Sequence, residues 1–192
     1  MTLASSFILA AAQMLAPERD TIAIVEAIAD RVAVERPLFA ADEDRLKTAS
    51  LLVSVAFREG SLGDHIEGDP VDGKPTSFCT MQINLSPGAR TREGWTGPEL
   101  RDDPAKCIAV GFRMLRDSIR VDAKNPVAFY ARGPGWRGHA AQRLSRDRMA
   151  LATRLLRECS TRASVAVGAS RDATRGLSDL VALSASAAAV QP

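Results

Sequence analysis

The chain has 192 residues, with 25 Lys and Arg against 23 Asp and Glu, and 46% of it is hydrophobic. That length suits one domain with a real core, and a formal charge of +2 is too small to argue for nucleic acid. Three cysteines and two histidines make neither a disulfide framework nor a zinc pattern; an aromatic content of 5% points to helices rather than sheets.

No segment is apolar for long enough to span a bilayer. Met1 to Ala16 is uncharged and rich in Ala, Leu and Ile. It lacks the positive n-region of a signal peptide and reads as an ordinary first helix, so residues 1–20 form an N-terminal apolar segment. Asp20 and Thr21 are N-cap types before Ile22, Val25, Ala29 and Val32, an amphipathic stripe that Pro37 ends. Asp42 or Asp44 then caps a strongly apolar helix, which Gly60 and Gly63 terminate.

On this helix Leu46, Ala49, Leu52, Val53, Val55, Ala56 and Phe57 cover most of the circumference, and Lys47, Ser54 and Arg58 share one narrow polar face. Glu59 lies three, four and seven residues after Ala56, Val55 and Leu52, so its carboxylate extends the apolar side. A carboxylate buried without a partner is costly; its pKa rises and it holds its proton. That property is what a general acid needs near neutral pH. On the same reasoning Glu59→Gln leaves thermal stability equal or higher. The alternative is a helix-terminal acid paired with a neighbouring base such as Arg58.

From Gly60 to Thr76 the chain reads as a long loop. Its acids, Asp64, Glu67, Asp69 and Asp72, are a solvated cluster, a source of a second carboxylate, or a calcium site; the last fits least, because the spacing departs from the twelve-residue loop. Ser77 to Leu85 reads in isolation as a short strand, and Pro87 to Pro98 as loop. Asp102 or Asp103 caps a helix with Pro104 in its first turn, running through Ile108, Phe112 and Leu115 to about Arg120. Asn125-Pro126 opens a short helix holding Phe129 and Tyr130. From His139 to Cys159 a helix carries Leu144, Leu151 and Leu155 as its apolar stripe, with Arg143, Arg146, Arg154 and Arg157 on another side. That basic side reads as a solvated face rather than a contact for an anionic polymer. Residues 160–192, rich in Ser and Ala, read as a tail.

Four blocks in order resemble one family. Arg58-Glu59-Gly60-Ser61 is followed by Ser77-x-Cys79-x-Met81-Gln82-Ile83, then by Leu100-x-Asp102-Asp103-Pro104-x-x-Cys107-Ile108-x-x-Gly111, then by Ala128-Phe129-Tyr130-Ala131-Arg132-Gly133-Pro134-Gly135. Together they look like the lytic transglycosylase (SLT-type) and goose-type lysozyme group. Cys79 and Thr80 stand where that family carries Gly-Leu, Cys107 and Ala131 where it carries Asn, and Gly60 separates Glu59 from the Ser. The resemblance implies a mainly α, lysozyme-like fold over residues 21–159, with a small hairpin or extended lip beside the groove. It further implies cleavage of the MurNAc–GlcNAc β-1,4 bond of peptidoglycan, with Glu59 as single acid/base and the substrate's N-acetyl group stabilising the cation. No cofactor and no metal is needed.

The resemblance assigns Gln82 to the floor of the sugar groove and Tyr130 to a hydroxyl near the acid; Ser61, Met81 and Ile83 join them as substrate-binding candidates. The alternative for either polar group is a satisfied core hydrogen bond and nothing more. Trp95 and Trp136 stack on sugars or pack. A second carboxylate holding a hydrolytic water, as in goose-type lysozymes, would come from Asp64, Asp69 or Asp72. None of these has a helical or strand context to aim it, so a 1,6-anhydro product is expected over hydrolysis. The resemblance also places Cys79 and Cys107 close together, as a disulfide or as two buried thiols. A muramidase, or a non-catalytic wall-binding or structural virion protein of the same fold, is the rival reading. Lacking a convincing signal peptide, the protein is expected to be phage-borne or exported by another route, and to act at the cell wall.

Overall fold

The computed structural model describes residues 2–39 and 45–161. It is mainly helical: α1 Leu3–Leu15, α2 Ile22–Val34, α3 Arg45–Gly60, α4 Gly97–Asp102, α5 Pro104–Val121 and α6 Ala128–Arg132, then α7 over residues 139–161. Between α3 and α4 lie three strands of two residues each, β1 Glu67–Gly68, β2 Ser77–Phe78 and β3 Ile83–Asn84. Among the described residues no helix is long and apolar enough to cross a membrane.

The centre is α3. Ser50 through Ala56 are completely buried, and α1 and α2 both pack on this helix. Each large apolar side chain so enclosed contributes about 1.5–3 kcal/mol of transfer free energy. The apolar segment read as separate at residues 1–20 belongs to this same core: Phe7, Ile8, Ala11 and Ala12 of α1 are fully buried in it. Asp42 and Asp44, the expected caps of α3, lie outside the described residues, as does the tail from residue 162 onward.

The narrow polar face of α3 is a docking seam rather than a solvated strip. Ser54 is fully buried and donates its hydroxyl to the Arg148 carbonyl of α7 at 2.7 Å. One turn on, Arg58 bonds Asp147 at 3.0 Å. A buried hydroxyl must find an acceptor, and α7 supplies it.

The stretch from Gly60 to Thr76, read as a long loop, contains one of the three strands of a small sheet. The three strands are antiparallel in the order β1–β2–β3, with Gly68 opposite Ser77 and Phe78 opposite Ile83. Beyond β1, Val71 and Lys74 form a further bridge. It is closed by Asp72 (φ 50°) and Gly73 (φ 73°), the Asp-Gly pair that a type I′ hairpin turn requires. Gly60 is fixed by proximity: a Cβ there would lie 2.6 Å from the Thr80 Cα, so the end of α3 and the β2–β3 turn touch backbone to backbone.

Two caps set the approach to α5. Thr96 and Glu99 form a capping box for α4, an element inside the region read as loop and cap. Asp103 accepts from the Lys106 amide, with Pro104 following it, as expected for the start of α5. Cys107 on α5 forms a disulfide with Cys79 of the β2–β3 turn, with Cα atoms 6.1 Å apart. The sheet is thereby fastened to α5 across 28 residues of sequence.

Candidate functional site

Where α3 ends, the sheet, the loop before α4, α5 and α6 enclose a cleft of about 840 Å³. Its wall includes Glu59, Asp69, Ser77, Gln82, Ile83 and Tyr130. These residues come from elements separated by up to 71 positions (Tyr130 minus Glu59), and the α3–sheet contact brings them together.

Glu59 is at the last turn of α3 with its side chain 20% exposed. It has a partner that its local sequence does not reveal. Arg148 of α7, whose side chain is 9% exposed, donates from Nε at 3.0 Å and from a terminal nitrogen at 2.8 Å, both to Glu59 Oε1. The expectation of an unpartnered buried acid therefore fails, and so does pairing with Arg58, which turns to Asp147. Arg148 also touches Asp147 at 3.5 Å. Oε2 of Glu59 has no hydrogen bond among the described residues and is the oxygen left for a ligand.

Arg148 has a sequence signal. It stands four residues after Leu144 and three before Leu151, on the apolar stripe of α7. A guanidinium on an apolar stripe demands a buried acceptor. Removing one member of a largely buried pair costs more than forming it gained. Arg148→Met, which keeps the apolar stem and removes the cation, is therefore expected to lower stability by about 2 kcal/mol. The urea midpoint would fall at unchanged slope; an unchanged midpoint would show that the pair contributes nothing.

Tyr130 of α6 donates its hydroxyl to the Met81 carbonyl in the β2–β3 turn, and its own amide is held by the Ser118 hydroxyl of α5 at 3.0 Å. Burial first, and then the negative charge of Glu59, push its phenol well above the ordinary value. It is a neutral hydroxyl beside the acid.

The β2–β3 turn is strained. Cys79 has φ 61° and Gln82 φ 46°, conformations that non-glycine residues adopt only when the surroundings over-determine them. At Cys79, where the resembled pattern carries Gly, the disulfide is one such constraint. At Gln82 the carboxamide donates to the Cys79 carbonyl at 3.1 Å, and a Cβ on Gly68 would lie 2.5 Å from Gln82 Oε1. Glycine at 68 is what lets the Gln82 amide lie across β1 at the cleft wall.

Of the three candidate second carboxylates only Asp69 lines the cleft. Asp64 lines a separate small groove with Asp20 and Glu26, and Asp72 is exposed at the hairpin tip. Asp69 follows β1 directly and takes φ 49°. Its Oδ2 accepts from the Ser77 hydroxyl of β2 at 2.6 Å, and its carbonyl accepts from Thr76 at 2.6 Å. The expectation that no loop acid is aimed is thus overturned: strand pairing and the Ser77 bond aim this one.

Other candidates lie off the cleft wall. Met81 is fully buried, its side chain packed on Gly111 of α5; its carbonyl, not its thioether, serves the site through Tyr130. Ser61 sits just past α3 at φ 54°, its amide donating to the Phe57 carbonyl. Trp95 packs against the core, and Trp136 lies under Arg137. Asn84, Arg92 and Arg132, which sequence patterning did not single out, do line the cleft.

Among the described residues no group of three or more His, Cys, Asp and Glu is placed to hold a metal ion. No protein-family model, no curated protein and no solved structure matches the chain.

Proposed function

We propose that this protein is a lysozyme-like enzyme that cleaves the MurNAc–GlcNAc β-1,4 bond of peptidoglycan with Glu59 as acid/base. The observation that carries this reading is the arrangement of Glu59 in the cleft. One carboxyl oxygen is clamped by Arg148 and the other is open to a ligand, with the protonated Tyr130 and the Gln82 amide on the same wall. Clamping one oxygen orients the carboxyl and fixes the direction of proton transfer through Oε2; such positioning, rather than a proton held by burial, is what this arrangement contributes. Acid transfer to the glycosidic oxygen generates a cation that the substrate's N-acetyl group can stabilise. Glu59, now deprotonated, then serves as base.

Two products are open to this machinery. Attack by the sugar's own C6 hydroxyl yields a 1,6-anhydro end and needs no trapped water. Attack by water needs a second carboxylate, and Asp69 is the group that favours this hydrolytic reading, because it is both in the cleft and held by Ser77. With Asp69 aimed, reducing MurNAc ends are expected alongside or in place of anhydro ends. Mass spectrometry of digested cell walls separates them by one water per cut. Asp69→Asn should move the product ratio toward anhydro ends by about a hundredfold, the low edge of what a positioned base contributes. If the ratio is the same in both proteins, Asp69 plays no part in choosing the nucleophile. Walls left uncut by the wild-type protein would instead favour the non-catalytic wall-binding reading.

A further inference from the structure

Four arginines line the cleft: Arg90, Arg92, Arg113 and Arg132. Two are spoken for. Arg113 is bound by Glu93 and lies 3.6 Å from Asp117, and Arg90 bonds the Gly94 carbonyl at 2.6 Å with Glu99 at 3.8 Å. Arg92 and Arg132 have no hydrogen bond or ion pair among the described residues. They come from different elements, the loop before α4 and the last residue of α6.

The backbone that carries Arg92 is held on both sides. Thr91 and Trp95 bond each other twice, amide to carbonyl at 2.8 Å and amide to hydroxyl at 3.2 Å, and the Gly94 amide returns to the Thr91 carbonyl. Neighbouring Arg90 and Glu93 are tied to Gly94 and Arg113. The loop is therefore a closed turn that fixes its neighbours' side chains and leaves one guanidinium without a protein partner. The acids of the same wall do not neutralise it. Glu59 is paired with Arg148, Asp117 faces Arg113 and Arg120, and Asp69 is bonded by Ser77.

We propose that Arg92 and Arg132 form an anion-binding subsite of the cleft that takes carboxylates hanging from the glycan, the stem-peptide acids of peptidoglycan. This rests on the reading of the cleft as a peptidoglycan site and narrows it: the preferred strand is one whose stem peptides carry free carboxylates, not one whose carboxyls are amidated. Guanidinium forks suit carboxylates, which they bind in a planar, two-bonded geometry. The cost of desolvating an exposed guanidinium is small, and the contact is screened by salt.

The test measures binding to Glu59→Gln protein, which cannot turn over its ligand, by titration calorimetry at low and high salt. The probes are a disaccharide-tetrapeptide muropeptide and the same muropeptide with its carboxyls converted to methyl amides. Charged probe should bind about tenfold more tightly than the amide, and that ratio should fall to near one at high salt. In Arg92→Gln/Arg132→Gln on the same background the low-salt ratio should also fall to near one, and Arg92→Lys/Arg132→Lys should recover part of it. A ratio near one in the parent, or a tenfold ratio that survives the double Gln change, overturns the subsite. If charged muropeptide is preferred but wild-type protein cuts no cell wall, the subsite stands and the cleavage reading fails. If neither probe binds, the subsite is overturned together with its premise.

Discussion

Glu59→Gln is expected to lower the rate of peptidoglycan cleavage by about a thousandfold, since the amide cannot donate the proton that positioned acid catalysis contributes. Turbidity clearing of purified cell walls measures it, and retention of more than about a tenth of the wild-type rate would exclude Glu59 as the acid. The same variant carries a stability signature opposite to the one its local sequence implies. Were the carboxylate unpartnered among apolar side chains, removing its charge would be neutral or stabilising. In the structure the charge is matched by Arg148, 9% exposed and bonded twice to Oε1. Gln can still accept from the guanidinium but leaves the cation short of a counterion, with Asp147 at 3.5 Å as its remaining acid. Stability should fall by about 1–2 kcal/mol. An equal or higher melting temperature would mean that the pair is not formed in solution.

Loss of the Cys79–Cys107 bond has the largest expected effect on stability. Opening a closure of 28 residues releases unfolded-state entropy worth about 3.5 kcal/mol, or roughly 10 °C of melting temperature for a domain of this size. Cys79→Ala/Cys107→Ala and reduction of the native protein should agree, because both release the same constraint. The cleft should feel it as well: Cys79 holds φ 61°, and its carbonyl is the acceptor that orients Gln82. Thiol titration of the unfolded chain checks the bond directly. One thiol before reduction and three after are expected, and three in both samples would sink it.

The sequence by itself determined the helices other than α4 and the side of α3 that carries the acid. Period-3.6 patterning along Leu46 to Glu59, the capping carboxylates of Asp20 and Asp103, and the placement of Pro37 and Pro104 act within a few residues, so their meaning is carried by neighbours in the chain. The closeness of Cys79 and Cys107, with bond and thiols both open, and the Tyr130 hydroxyl near Glu59 came from the order of the four blocks, not from spacing; the structure contains the bond and places Tyr130 on the cleft wall.

Only the tertiary structure decided what each of these groups meets. Arg148 was detectable as a cation on an apolar stripe, but nothing in its neighbourhood names an acid 89 positions away. Ser54 and Arg58 are legible in the sequence as a polar face, but not as the seam on which α7 docks. Asp69 looked no better placed than Asp64 or Asp72, because aim depends on strand register: Gly68 opposite Ser77 sets the residue after β1 within reach of the Ser77 hydroxyl. In strands of two residues there is no alternation long enough to reveal a register. It is selected by long-range contacts: the disulfide to α5, Gly60 against Thr80, and the packing of Phe78 on Gly97. Local rules therefore carry the helices and their caps. The charge partners and the cleft's second acid depend on contacts between distant segments, which no local pattern encodes.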